Sequence, residues 1–168
     1  INRFKSESTL LARMNHESIA RVYDAGLTDQ GQPFVAMELI DAQPLNRTCE
    51  SLRLNTRQRI ELMAQICDAI QHAHNRAVIH RDLKPANILV EQHDTTLRPR
   101  VIDFGIAKLL EDDPNSPLTQ AQVRLGTPRY MSPEQRAGTL TSDTRIDVYA
   151  LGAILCELLA GDVPTAAN

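Results

Sequence analysis

The residues most able to do chemistry in this chain are gathered in one polar stretch, His80-Arg81-Asp82-Leu83-Lys84-Pro85-Ala86-Asn87. Apolar Val78-Ile79 precedes it and Ile88-Leu89-Val90 follows, and both flanks read as short buried strands. Pro85 forbids a regular helix through the middle, so the stretch is expected to be a loop pinned at both ends. A second acid, Asp103, follows the strand-like Val101-Ile102 and opens Asp103-Phe104-Gly105. If Ile88–Val90 and Arg100–Ile102 pair as a hairpin through the turn-rich Gln92–Pro99, Asp82, Asn87 and Asp103 come to one edge. Two carboxylates and an amide oxygen suit a hard cation such as Mg2+, which prefers oxygen ligands. Lys84 adds a positive charge for a phosphate.

Several segments must hold that loop in place. Arg3–Asn15 has helical spacing, with Phe4, Leu10, Leu11 and Met14 apolar. Ile19–Asp24 and Pro33–Leu39 read as strands separated by a turn at Leu27-Thr28-Asp29-Gln30-Gly31. Thr56–Arg76 is a long helical pattern, with Ile60, Met63, Ala64, Cys67, Ile70 and His74 roughly along one face. His72 and His74 share a face poorly, so both are read as structural rather than as a metal pair. Glu111–Thr119 has two prolines and no periodicity, and reads as a loop. Ser142–Ala160 reads as a helix that is apolar nearly all round, starting near Ser142 or Thr144 and stopped by Gly161. Such a helix belongs in a domain centre, so Asp147 upon it needs hydrogen-bond partners unless it lies on an exposed strip.

Length and composition bound the class. A chain of 168 residues with 42% hydrophobic and 23% charged residues supports one globular unit with a real core. Aromatics are 4% and Trp is absent, so aliphatic side chains must fill that core. A net charge of −3 offers no basic field for nucleic acid. Cys49, Cys67 and Cys156 have no CxxC spacing, which points to reduced thiols rather than a disulfide frame or a zinc site. The longest apolar run, Val148–Ala160, is too short for a membrane span and carries Glu157. No membrane anchor is visible in this segment, and a cytoplasmic location is expected, with the parent protein free to be anchored elsewhere.

His80–Asn87, Asp103-Phe104-Gly105 and Gly126-Thr127-Pro128-Arg129-Tyr130-Met131-Ser132-Pro133-Glu134, in this order and spacing, resemble the protein kinase superfamily. The details resemble bacterial Ser/Thr kinases of the eukaryotic-like type. The resemblance implies an α+β, protein-kinase-like fold, incomplete in this chain. Residues 1–40 would form a partial small lobe of a helix plus antiparallel strands. Residues 41–168 would form a partial, mostly helical large lobe. It implies ATP and Mg2+ as cofactors and a protein substrate, with no nucleic-acid partner.

Carried over residue by residue, the resemblance makes Asp82 the group that orients the substrate hydroxyl and accepts its proton. Lys84 would touch the γ-phosphate, and Asn87 and Asp103 would hold Mg2+. Thr127 would bond the catalytic Asp and Lys. Glu7 falls at the ion-pairing glutamate of the small-lobe helix. Met37 falls at the gate of the adenine pocket, although plain core would explain it equally. Glu38 and Ile40 fall at the hinge, and Leu89 belongs with the nucleotide-binding set. Ala42 stands where the family has glycine at the hinge exit. Phe104, His80, Leu11 and Val22 match a stack of apolar or ring side chains across the lobes.

Arg81 before the catalytic Asp implies switching by a loop phosphate, with Ser116 and Thr119 as candidates besides Thr127. Thr119 lies eight residues before Thr127 and is the candidate for autophosphorylation, against an unmodified surface threonine. The family's APE reads Ser132-Pro133-Glu134, and Asp162-Val163-Pro164-Thr165 departs from the family's pattern after the buried helix. Residues 1–168 contain neither a GxGxxG loop nor the strand lysine that follows it. The segment by itself is therefore expected to be inactive, marginally stable and to expose apolar surface. A non-catalytic pseudokinase or scaffold module is the alternative, and a small-molecule kinase of related fold the next.

Overall fold

A computed structural model describes residues 14–30, 32–104, 128–138 and 143–162. Among the described residues, five strands and four α-helices are arranged in the order β1 (Val22–Leu27), β2 (Pro33–Met37), β3 (Gln43–Pro44), α1 (Leu45–Ser51), α2 (Thr56–His74), β4 (Ile88–His93), β5 (Thr96–Val101), α3 (Pro133–Arg136) and α4 (Arg145–Ala160). Strands β1 and β2 form an antiparallel ribbon, and β3, β4 and β5 a second antiparallel sheet with β4 in the centre.

The expected boundaries shift most in three places. The first strand begins at Val22, because Ile19 makes an isolated parallel bridge to Val101 instead. Val101 N–H donates to Ser18 O and Ala20 N–H donates to Val101 O, both at 2.9 Å. Val78-Ile79 is not a strand. The end of α2 turns it away: Ala77, in the left-handed region at φ 59°, lets Val78 N–H reach back to Ala73 O at 3.0 Å. The hairpin is longer than expected, since Gln92–Pro99 is mostly strand and only Asp94-Thr95 turn, with Asp94 at φ 52°. Pro99 is tolerated there because β5 is an edge strand and needs no N–H on its outer side.

Burial alternates along the hairpin as the pleat requires. Ile88, Val90, Pro99 and Val101 face the core, while Leu89 and Arg100, paired with each other, lie on the other face. Helix α2 packs on β5 and α4 and starts at a capping box, in which Asn55 accepts from Gln58 N–H and the Gln58 side chain accepts from Asn55 N–H, both at 3.0 Å. Such a cap is worth about 1 kcal/mol.

The buried face of α2 is Leu62, Met63, Ile66, Ala69, Ile70 and Ala73. Of the face expected from the sequence, Met63 and Ile70 are buried, but Ile60, Ala64 and Cys67 are exposed. Apolar residues occupy two adjacent stripes of this helix, and period alone does not choose between them. Likewise α4 is not buried all round: Ile146, Asp147, Ala150, Ala153, Ile154 and Leu158 face inward, whereas Val148 and Leu159 are exposed. Gly161 caps α4 in the left-handed conformation, as its position predicts. Thr144 occupies the N-cap without a side-chain bond; Asp143 accepts from Arg145 N–H at 2.9 Å instead. All three cysteines are unpaired, and burial pushes the Cys49 and Cys67 thiols up, which keeps them protonated. No helix among the described residues is long and apolar enough to cross a membrane.

His72 gives the fold a pH dependence. Its ring lies 4.9 Å from that of His16, and its buried Nε2 makes no hydrogen bond. Burial lowers its pKa from the ordinary 6.5, with Arg76 and His16 lowering it further and Asp68 opposing them. The unfolded chain therefore takes up a proton near pH 6.5 that the folded chain resists. This contribution is fully present above that pH and is lost as the pH falls toward the lower folded value. Buried His80 acts in the same direction. Melting temperature should drop between about pH 7 and pH 5, and His72→Phe should flatten part of that slope. An unchanged slope in the variant would refute the assignment.

Candidate active site

The loop from Val78 to Asn87 is held from beneath by α4. Asp147 is 1% exposed, and its two oxygens accept from His80 N–H at 2.8 Å and Arg81 N–H at 2.9 Å. His74 Nε2 lies 2.8 Å from the same carboxylate. This is the partner set that a buried acid on α4 requires. Arg81 sits in the left-handed region at φ 67°, and Asp103 does so at φ 56°. Such conformations cost of order 1–3 kcal/mol each and cluster at functional sites.

His80 is fully buried and joins the loop to the strand end that carries Asp103. Its Nδ1 accepts from Asp82 N–H at 3.3 Å, so Nε2 carries the proton it gives to Ile102 O at 2.9 Å. Burial depresses its pKa, consistent with a neutral ring, although Asp147 and the Ile102 carbonyl oppose the shift. Its ring contacts Phe104 at 4.7 Å. Of the expected four-residue stack, that pair touches, Val22 packs against the core while partly buried, and Leu11 lies outside the described residues.

The polar side chains converge. Lys84 Nζ is 2.8 Å from Asp82 Oδ2. The Asn87 amide donates to Asp82 O at 2.9 Å and to Asp82 Oδ2 at 3.4 Å. Because both donations come from Nδ2, Asn87 Oδ1 is left for a cation. A one-turn 3-10 helix at Pro85–Asn87 produces this geometry, with Pro85 at its first position. Ile102 N–H donates to Asn87 O at 2.9 Å, which sets Asp103 beside the loop. No group of three or more His, Cys, Asp or Glu among the described residues forms a metal cage. One amide and one carboxylate fit Mg2+, which keeps waters and takes phosphate oxygens for the rest of its shell. A shallow pocket next to Asp82 is lined by Arg81, Lys84, Tyr130, Met131 and Gln135.

Three of the nucleotide-side candidates, Met37, Glu38 and Ile40, lie at or just after the end of β2. Met37 pairs with Val22 and is partly buried. Glu38 N–H is spent on Arg21 O at 2.9 Å, and its side chain accepts from Arg21 N–H at 2.8 Å. Glu38 also pairs with Arg100, which reaches Glu91 at 3.2 Å. Ile40 is partly buried, and Leu89 lies on the face of β4 turned away from the core. Glu7, Thr127, Ser116 and Thr119 lie outside the described residues.

Two contacts escape a reading of the sequence. His74 looks structural but bonds Asp147, which lies far along the chain. The Glu38–Arg100 pair is also long-range, with no local signal. Gln135 does carry a signal, since Ser132-Pro133-Glu134-Gln135 is a capping-box pattern at the start of α3.

Comparison with known proteins agrees with this geometry. A family model described as the protein kinase domain matches residues 2–168. The chain is 39% identical over 166 residues to the serine/threonine-protein kinase PknB of Mycolicibacterium smegmatis, covering 96% of this chain and 26% of that protein. It is 40% identical over 165 residues to the serine/threonine-protein kinase Pkn1 of Myxococcus xanthus, covering 98% of this chain and 23% of that protein. The chain thus spans about a quarter of the length of these relatives. The crystal structure of the Mycobacterium tuberculosis PknI kinase domain superposes with a TM-score of 0.74 at 30% identity, over 98% of this chain and 58% of that one. The Asp82 loop, the Asp103 turn and the helix beneath them thus sit in a known fold, and the chain belongs to the protein kinase domain family.

Proposed function

We propose that this chain is the central part of a Ser/Thr protein kinase that moves the ATP γ-phosphoryl group to protein Ser or Thr hydroxyls. Residues 1–40 belong to its small lobe and residues 41–168 to its large lobe. The observation that carries the reading is the cluster at the loop: Lys84 and Asn87 both bond Asp82, and the strand leading to Asp103 bonds the Asn87 backbone. Asp82 orients the acceptor hydroxyl and takes its proton. Lys84 offsets negative charge on the moving phosphoryl group. Asn87 Oδ1 and Asp103 hold Mg2+, which when bound neutralises charge on the phosphates. Met37, Glu38, Ile40 and Leu89 border the nucleotide, Glu7 supports it through an ion pair, and Thr127 bonds the Asp82–Lys84 pair. The acceptor enters over the pocket beside Asp82. This kinase domain works in the cytoplasm, and phosphate on Thr119 orders the loop before Thr127.

One labelling experiment tests the reading. The complete gene product with Mg2+ and γ-labelled ATP should phosphorylate Ser or Thr in protein acceptors and not small alcohols. Label on the enzyme itself should map to Thr119, and Thr119→Ala should lose activity. Residues 1–168 expressed alone should transfer phosphate negligibly. Transfer only to small alcohols, or none at all from the complete product, would defeat the proposal.

A further inference from the structure

Four backbone groups determine where the Asp82 carboxylate points: the N–H and C=O of Arg81 and those of Asp82. Each is held by a side chain. Asp147 takes Arg81 N–H, His80 Nδ1 takes Asp82 N–H at 3.3 Å, and the Asn87 amide gives to Asp82 O. The fourth, Arg81 O, accepts from Gln135 Nε2 at 2.9 Å. The peptide unit between Arg81 and Asp82 is thus gripped at its N–H by His80 and at its C=O by Gln135. Arg81 beside it is in the left-handed region at φ 67°, a conformation that persists only where the surrounding contacts hold the backbone.

Gln135 uses both ends of its amide. Oε1 accepts from Ser132 N–H at 3.1 Å, closing the capping box of α3, while Ser132 Oγ accepts from Gln135 N–H at 3.4 Å. The amide orientation is fixed by its partners, since Ser132 offers a donor and Arg81 an acceptor. Ser132 is fully buried, so α3 is a firm base for the reach to Arg81.

We propose that Gln135 is a positioning residue for phosphoryl transfer, clamping the Arg81 carbonyl so that the Asp82 carboxylate keeps its direction. This rests on the kinase reading above. A glutamate at 135 separates the two jobs: its carboxylate can still accept from Ser132 N–H, but it has no N–H for Arg81 O.

In the complete gene product, Gln135→Glu should lower kcat about tenfold, as expected for one lost hydrogen bond near the reacting groups. Its KM for ATP and melting temperature should stay at the wild-type values. Ser132→Ala should lower the melting temperature and leave kcat in place. Gln135→Met should lower both. Wild-type kcat in Gln135→Glu, or an equal kcat loss in Ser132→Ala, would overturn the clamp. If the wild type transfers no phosphate, the kinase reading fails separately. The clamp is then read from hydrogen exchange at the Asp82 amide, which Gln135→Glu should speed about tenfold and Ser132→Ala should not; unchanged exchange in Gln135→Glu would overturn it.

Discussion

Asp147→Leu should cost at least about 4 kcal/mol of folding stability, because three donors lose one acceptor at once. Leucine fills a similar volume but leaves His80 N–H, Arg81 N–H and the His74 ring without the carboxylate that now lies within 3 Å of each, at 2.8, 2.9 and 2.8 Å. Each orphaned buried donor costs about 1–3 kcal/mol. For a domain of this size the loss corresponds to a fall in melting temperature of roughly 10–15 °C, and catalysis should vanish as the Arg81–Asp82 strain is released. Asp147→Asn is the gentler control. It keeps one acceptor oxygen and turns an amide NH2 toward a backbone N–H, so it should fold and lose about half as much stability, on the order of 2 kcal/mol. Urea unfolding of the three proteins decides. A Leu variant with the wild-type midpoint would mean the buried carboxylate is not the anchor of the loop.

How far the sequence foretold this arrangement depends on the range of each interaction. His80–Asn87 and Asp103 were legible because their chemistry is local: Pro85 forces the turn, and the hairpin partner of Ile88–Val90 lies a short loop away. The need of Asp147 for partners was legible from an acid on an apolar helix, and Gly161 as its stop from the left-handed preference of glycine. The identity of the third partner was not, since nothing near His74 in the chain announces a carboxylate on α4. The α2 face was misjudged by about one residue position because Ile60 and Cys67 extend an apolar stripe as plausibly as Leu62 and Ile66 do. Only the placement of β5 and α4 against the helix chooses between them. The Arg100 cluster was invisible for the same reason: Arg100 on a strand looks solvent-facing until Glu38, from a distant segment, is brought over it. Burial lowers its pKa, so the arginine is held in a partly dry site between two acids.

The two carboxylates of the site should fail in different ways when each is changed to its amide. Asp82→Asn keeps the size and the backbone bonds to His80 and Asn87, and removes the proposed proton acceptor. Loss of a positioned base is worth about 100- to 10,000-fold, and it should fall on kcat, with the KM for ATP and the Mg2+ requirement unaltered. Asp103→Asn removes a negative charge from the proposed cation site while leaving Asp82 in contact with Lys84 and Asn87. Its defect should be of similar size at low Mg2+ and shrink as Mg2+ is raised, because weakened metal binding is reversible by mass action. Asn at 103 also tolerates the left-handed backbone that Asp103 adopts at φ 56°, so the variant tests charge rather than strain. Titrating Mg2+ against initial rate in the complete gene product separates the two. If Asp82→Asn were rescued by Mg2+, or if Asp103→Asn were indifferent to it, the roles drawn for the two acids would be wrong.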